Sequence, residues 1–358
     1  MTVTVTAAAA APAAEAAVPA GHGGGRAGTA AAGGTPWLPF SACTVTGCLP
    51  RRPPAVGPLR RVWRWTALAA VLSAGVVLSP VVRRLAPARR GRLVRHWAGA
   101  VVAALGVRAR VTGAPVTGPA LVVADHVSWL DVPLLASVTP GRMLAKREIG
   151  QYPVLGRLAA RGGTLFIDRE RLRALPATVG EITAALRAGS TVVAFPEGST
   201  WCGRERGAFR RAVFQAALDA GVPVQPVAIR YRTDGGRRAP DGPGGRGAEA
   251  TPAAFVGDDT LAASLRRVVA ARGLAAEVTV LPPLRHGACL DRPGSPGRRV
   301  LARAAQEAVE AVRPGEAAGT ADGGGGGHPP APTGPAPAAP SPAGPAGPRP
   351  AARQPSAA

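Results

Sequence analysis

Lysine is all but missing from this chain. Of 43 basic residues, Lys146 is the one lysine and the other 42 are arginine. A bias of that kind follows genome base composition, so the net charge of +22 carries little functional weight by itself. Aromatic residues are also scarce, with six Trp, two Tyr and six Phe in 358 residues. That is too few to interleave with the basic residues as a stacking platform, which argues against nucleic acid as a partner. The four cysteines do not read as a disulfide framework in a chain this long. Cys43 and Cys48 are separated by four residues, and neither a histidine nor a second cysteine pair follows at zinc spacing, so no metal is expected. The first twenty residues have no basic start and no compact apolar stretch, so they do not resemble a signal peptide. No G-x-S-x-G occurs, which removes the strand-to-helix nucleophile turn of many ester hydrolases.

What the chain does have is unevenly placed. Residues 1–57 and 314–358 are runs of Ala, Gly and Pro, such as "GHGGGRAGTAAAGG" and "PAPAAPSPAGPAG". Such segments bury too little apolar area to offset the entropy of ordering them, so both are expected to be disordered. Between Pro58 and Arg110 lie eleven arginines and no acid, a distribution that suits an anionic membrane surface. Within it, Trp65 to Val82 is eighteen residues without a charge. As a helix it would be ~27 Å long, marginal for crossing a bilayer. Trp63 and Trp65 sit at one end, where interfacial anchors are common. A second apolar stretch, "GRLVRHWAGAVVAALGV", follows Pro87. Residues 58–107 therefore read as a membrane-associated helical hairpin; two buried helices of a soluble domain are the plainer reading.

From residue 108 to 313 the pattern alternates. "RARVTG", "ALVVA", "RMLAK", "GTLFI", "TVVAF", "VPVQPVAIRY" and "AEVTVL" read as strands. "DVPLLASV" and residues 171–188, 207–220, 258–272 and 296–312 read as helices. The expected class is α/β, with a mixed, largely parallel sheet flanked by helices. In such sheets ligands bind at the carboxyl ends of the strands.

Three of those ends carry chemistry. "ALVVA" is followed by Asp125 and His126, and then by Asp131 five residues after the histidine. Ser128 with Asp131 also fits the S-x-x-D start of a helix. That alone accounts for the aspartate but leaves the histidine unexplained. A helix beginning at Ser128 would place Asp131 in its first turn, close enough to fold back on His126. A carboxylate on one imidazole nitrogen leaves the other to take a proton from a substrate hydroxyl. "GTLFIDR" puts Asp168 and Arg169 at another exit, where an arginine suits a phosphate. "FPEGS" puts Glu197 and Gly198 in a tight turn at a third. "VPVQPVAI" supplies a fourth strand, with prolines.

In this order, the four stretches resemble the glycerolipid acyltransferases related to 1-acylglycerol-3-phosphate acyltransferase. "DHVSWLD" is similar to the first motif of that family, with Asp125 where Asn is usual. "GTLFIDR" is similar to the second. "FPEGS" is similar to the third, with Ser199 for Thr. The likeness covers about residues 58–312. It implies an O-acyltransferase that moves a fatty acyl group from a thioester to a lyso-lipid hydroxyl. His126 would be the general base and Asp131 its orienting partner. Arg169 would bind the acceptor phosphate with Lys146 nearby, and Glu197 and Gly198 would shape the acceptor site. It implies no resident cofactor: acyl-CoA or acyl carrier protein would be a co-substrate, membrane lipids the partners, and the cytoplasmic face of the membrane the location. "EGSTWCG" departs from the pattern of phosphatidate-forming members, lacking their basic residue. It and "FVGDDTLAASL" resemble the branch that acylates other lyso-lipids, lyso-ornithine lipids among them. A reading from another class is a non-catalytic basic protein that binds anionic membranes. It explains the charge but not the polar residues at the strand exits.

Overall fold

A computed structural model of the chain describes residues 41–50, 53–152, 155–168, 171–233, 251–285 and 297–312. The expectations placed on residues 1–40 and 314–358, and on Arg169, lie outside the described residues.

The described part begins with a one-turn helix, α1 (Val45–Cys48), and a hairpin of α2 (Pro58–Arg83) and α3 (Pro87–Ala104). Both long helices open on a proline, whose fixed φ suits the first helical position and whose missing N–H would have no partner there. Then follow β1 (Arg108–Thr112), β2 (Leu121–Ala124), α4 (Asp131–Val138), β3 (Arg142–Lys146), α5 (Leu155–Arg161) and β4 (Leu165–Ile167). The chain continues through α6 (Leu175–Arg187), β5 (Val192–Ala194), α7 (Ala212–Ala220), β6 (Val224–Thr233), α8 (Leu261–Ala270), β7 (Leu274–Val280) and α9 (Gly297–Ala311).

The strands form one sheet of seven in the order β1-β7-β6-β2-β5-β3-β4. Every neighbouring pair is parallel except β6 with β7. The expected mixed, largely parallel sheet is therefore present. Side chains alternate between its two faces with the period of two that a pleat imposes. In β2, Val122 and Ala124 enter one apolar cluster with Leu105, Leu134, Ile229 and Val268. Leu121 and Val123 enter the other, with Ile182, Phe214, Val224 and Leu301. A strand buried on both faces in this way reads as the unbroken apolar run "ALVVA". Because β2, β3, β4 and β5 all run the same way, their carboxyl ends open on one edge of the sheet.

Three local expectations need correction. Residues 41–50 and 53–57, expected to be disordered, are ordered against the domain. Cys43 and Val56 are buried there, and the Val56 N–H donates to Ala270 O at 2.9 Å. The helix expected over 207–220 begins only at Ala212, because residues 201–211 wrap the strand ends instead. Helix α4 begins at Asp131 rather than Ser128. Residues 128–130 form a turn, with Asp131 N–H donating to Ser128 O at 3.1 Å.

The hairpin is present as a packed helix pair. Trp97 of α3 donates its indole N–H to Val71 O of α2 at 2.9 Å. Gly75 makes room for that ring: a Cβ there would lie 2.5 Å from the indole nitrogen. Helix α2 has 26 residues and a mean hydropathy of 1.9 over its most apolar window, only 11% of which is buried. It is the one helix among the described residues long and apolar enough to cross a membrane. Leu59, Val62, Trp63, Val77 and Val81 all stand exposed on it.

Candidate active site

The exit of β2 builds a corner in which nearly every polar atom has a stated partner. Asp125 is buried, and its Oδ1 accepts the Ile229 N–H of β6 at 2.8 Å. An aspartate thus supplies the acceptor that an asparagine at this position would also offer, tying β2 to β6 just below His126. The His126 side chain is 18% exposed, and its Nδ1 lies 2.9 Å from Asp131 Oδ2. Its ring stacks on Phe195 at the end of β5, with centroids 4.0 Å apart and planes 15° from parallel. That contact fixes the imidazole plane from the face, while Asp131 fixes it from the edge.

Asp131 is fully buried. Its Oδ2 also accepts the N–H groups of Val127 and Ser128, each at 2.8 Å. Its Oδ1 accepts the Tyr231 hydroxyl at 2.5 Å. A carboxylate out of contact with water is tolerable only when hydrogen bonds replace its hydration, and four donors do so here. The same two backbone bonds fold the chain back between β2 and α4, which is why the helix starts late. Burial first, and then the Asp131 charge, push the Tyr231 phenol well above its ordinary value, so it remains an O–H donor. An ionised Asp131 can only accept hydrogen bonds, so Nδ1 carries a hydrogen, and in the neutral imidazole Nε2 is the nitrogen with the lone pair.

Glu197 lies beneath this pair. It is buried; Oε2 accepts the His126 N–H at 2.9 Å and Oε1 the Gly207 N–H at 3.3 Å. Gly198, at φ +78°, makes the turn that points the glutamate inward, with its N–H donating to Phe195 O at 3.1 Å. The loop beyond closes over the corner: the Trp201 N–H donates to His126 O at 2.8 Å. Ser199 Oγ and the Trp201 indole N–H are buried in this loop without a hydrogen-bond partner among the described residues. Unmatched polar atoms of that kind call for an explanation in a native site.

The other exits are more open. Lys146 ends β3 and is exposed, in register with Ile167 of β4. Asp168 follows β4, with Arg147 Nη1 at 3.4 Å and Arg171 Nε at 3.6 Å. Beyond it a cleft of about 740 Å³ runs between β4, the start of α7 and α9, lined by Asp168, Arg171, Arg210, Arg211, Arg299 and Arg303 among others; His126 and Asp131 are not part of its lining. The structure thus brings His126, Asp131, Glu197 and Gly198 together, and puts Lys146 on the same sheet edge two strands from β2.

Two members of the corner escaped sequence reasoning. Tyr231 lies one hundred residues from its partner. The signal for it was "AIRY", in which Ile229 and Tyr231 share one face of β6. Phe195 was read only as part of a turn motif. The expectation of no metal also meets a different arrangement. Cys202, from the loop after β5, joins Cys43 and Cys48, and the three sulfur atoms lie within 4.8 Å of one another.

A profile of the acyltransferase family matches residues 108–230. Over 233 residues the chain is 38% identical to the lyso-ornithine lipid O-acyltransferase of Pseudomonas aeruginosa, covering 64% of this chain and 82% of that one. Over 154 residues it is 38% identical to the 1-acyl-sn-glycerol-3-phosphate acyltransferase of Neisseria meningitidis, covering 42% of this chain and 60% of that one. The crystal structure of the 1-acyl-sn-glycerophosphate acyltransferase PlsC from Thermotoga maritima aligns over 71% of this chain and 96% of its own, at 20% identity and a TM-score of 0.48.

Proposed function

The chain belongs to the acyltransferase family, and from that premise we propose that it transfers a fatty acyl group from a thioester to the hydroxyl of a lyso-lipid of the 1-acylglycerol-3-phosphate type. The observation that carries the mechanism is the His126 Nδ1–Asp131 Oδ2 contact of 2.9 Å, on a carboxylate already held by two backbone N–H groups.

His126 Nε2 takes the acceptor hydroxyl proton as its oxygen attacks the thioester carbonyl carbon. The imidazolium is stabilised through Nδ1–H by Asp131. The tetrahedral oxyanion collapses, the C–S bond breaks, and the proton passes from the imidazolium to the departing thiolate. A thiol of pKa about 8.5 is a good leaving group, so base catalysis worth about 10² to 10⁴ in rate is the main demand on the side chains. No resident cofactor enters this chemistry; acyl-CoA or acyl carrier protein acts as co-substrate. Ser199 Oγ and the Trp201 indole N–H, without partners among the described residues, are groups the acceptor or the oxyanion would satisfy. Arg169 and Lys146 supply positive charge for an acceptor phosphate. The exposed apolar length of α2 supports a position on the membrane, on the face where acyl thioesters are available.

A second acceptor has an observation in its favour. The likeness to the lyso-ornithine lipid enzyme spans 82% of that protein, against 60% of the glycerophosphate enzyme. The "EGSTWCG" loop also lacks the basic residue expected for a phosphate. One experiment tests both. Membranes carrying the protein are incubated with acyl-CoA or acyl carrier protein and a panel of lyso-lipids, and products are read by mass spectrometry. Acylation of any lyso-lipid, lost with His126→Ala, is the expected result. No product from any acceptor with either carrier would overturn the reading.

A further inference from the structure

The acyl-transfer chemistry leaves three cysteines without a role. Cys43 precedes α1 and Cys48 ends it, ahead of the hairpin, and Cys202 follows the catalytic turn, 159 residues beyond Cys43. All three are free thiols, and Cys43 and Cys202 are buried. Cysteine often fills a core as a small apolar group, and that is the plainer account. It does not account for three of the chain's four cysteines meeting at one point from two distant segments. Nor does it account for what surrounds the sulfurs.

Backbone donors point at them. The Cys202 N–H reaches Cys43 Sγ at 3.4 Å, and the Glu205 N–H reaches Cys202 Sγ at 3.5 Å. The second bond closes the turn Cys202-Gly203-Arg204-Glu205, in which Gly203 at φ +89° adopts a conformation a side chain would resist. Hydrogen bonds of this sort favour the charged form of the acceptor. Arg204 adds a cation by donating to the carbonyls of Gly47 at 3.3 Å and Cys48 at 3.2 Å. Across the cluster, the Thr44 hydroxyl caps the Gly47 N–H at 3.1 Å, which sets the turn between the two N-terminal cysteines.

We propose that Cys43, Cys48 and Cys202 form a three-thiolate zinc site that fastens the segment ahead of the membrane hairpin to the loop over the catalytic histidine. Thiolate sulfur selects soft and borderline cations, and zinc accepts such ligands tetrahedrally. With Zn–S bonds of about 2.3 Å, sulfurs in a tetrahedron stand about 3.8 Å apart, within about 1 Å of the spacing here. The fourth position is left to water or a small ligand. Binding zinc displaces the thiol protons, so the site forms with proton release. The clip also closes a long loop, for which the entropic gain on linking is large. Since the Trp201 N–H holds His126 O, the clip ends one residue from a bond to the catalytic backbone.

The full-length protein, purified in detergent without chelators, is analysed by inductively coupled plasma mass spectrometry; about one zinc per chain is expected. Cys43→Ser, Cys48→Ser and Cys202→Ser should each lower the zinc content about tenfold. Should those variants fail to fold, the wild type gives the same answer. Titration with an organomercurial should release zinc in step with thiol modification. Cobalt offered to the metal-free protein should give a sulfur-to-cobalt charge-transfer band. Wild-type protein without zinc and without that cobalt band would overturn the proposal. So would a disulfide among these cysteines, found by non-reducing peptide mapping of fresh protein. All of these readouts are independent of acyl transfer, so failure here leaves the proposed activity standing, and the reverse also holds.

Discussion

Two regions of one sheet edge are built on opposite plans. At the end of β2, Asp131 has no exposure and four stated hydrogen bonds, and His126 is held by carboxylate, ring and backbone together. At the ends of β3 and β4, Lys146 is exposed and Asp168 faces Arg147 and Arg171 at the long distances of surface ion pairs. The difference suits a division of labour. Proton transfer needs its groups held in one geometry, and enclosure by prearranged dipoles costs nothing further at the moment of reaction. Capture of a headgroup needs charge that can reach and adapt, and exposed side chains contribute little each to stability.

Breaking the enclosed corner should have the largest effects. His126→Ala should lower turnover about 10²- to 10⁴-fold while circular dichroism stays unchanged. Asp131→Asn should cost about 10²-fold or more in kcat, because a neutral amide in that place no longer stabilises the imidazolium. With its oxygen kept toward the Val127 and Ser128 N–H groups, the amide turns its NH2 toward Tyr231 and loses the bond from that hydroxyl, so its Tm should fall as well. Tyr231→Phe tests whether the support behind Asp131 matters. Loss of a hydrogen bond to a charged group should cost about 2 kcal/mol of stability, measured by denaturant titration, with a smaller loss of activity. The same variant tests a pH effect. The folded phenol is pushed above its ordinary value, so the unfolded chain loses this proton first as pH rises past about 10. Stability tied to it is complete below that pH and lost above it, and Tyr231→Phe should remove that part of the slope. The open exits should give the smallest response. Lys146→Ala should raise KM for a phosphate-bearing acceptor about three- to tenfold, leave kcat alone, and matter less as salt rises. A loss of kcat at Lys146 equal to that at His126 would erase the contrast between the two plans.

How far the sequence could be read follows the same line. Apolar runs such as "ALVVA" and "TVVAF" reveal buried parallel strands by composition alone, and short motifs at their ends place His126, Asp131 and Glu197 on one edge. Contacts decided within five residues, such as His126 with Asp131, were legible for that reason. The acceptor side of that pair was not. Tyr231 reaches Asp131 only because β6 lies beside β2, and strand order is not written in either segment. The placement of Glu197 under the His126 N–H was not legible either, since it depends on how two loops cross. The cysteines are the extreme case, since nothing in the spacing of Cys43 and Cys48 reveals that Cys202 lies beside them.

The notch at Gly75 has a wider consequence. Through it Trp97 locks α2 to α3; α3 packs on α4, and α4 begins at Asp131. If α2 rests in lipid as proposed, this stack of helices works as a ruler. The height of the imidazole above the bilayer is then set by rigid parts, and hydroxyl groups presented at that height would be chosen over identical ones lying deeper.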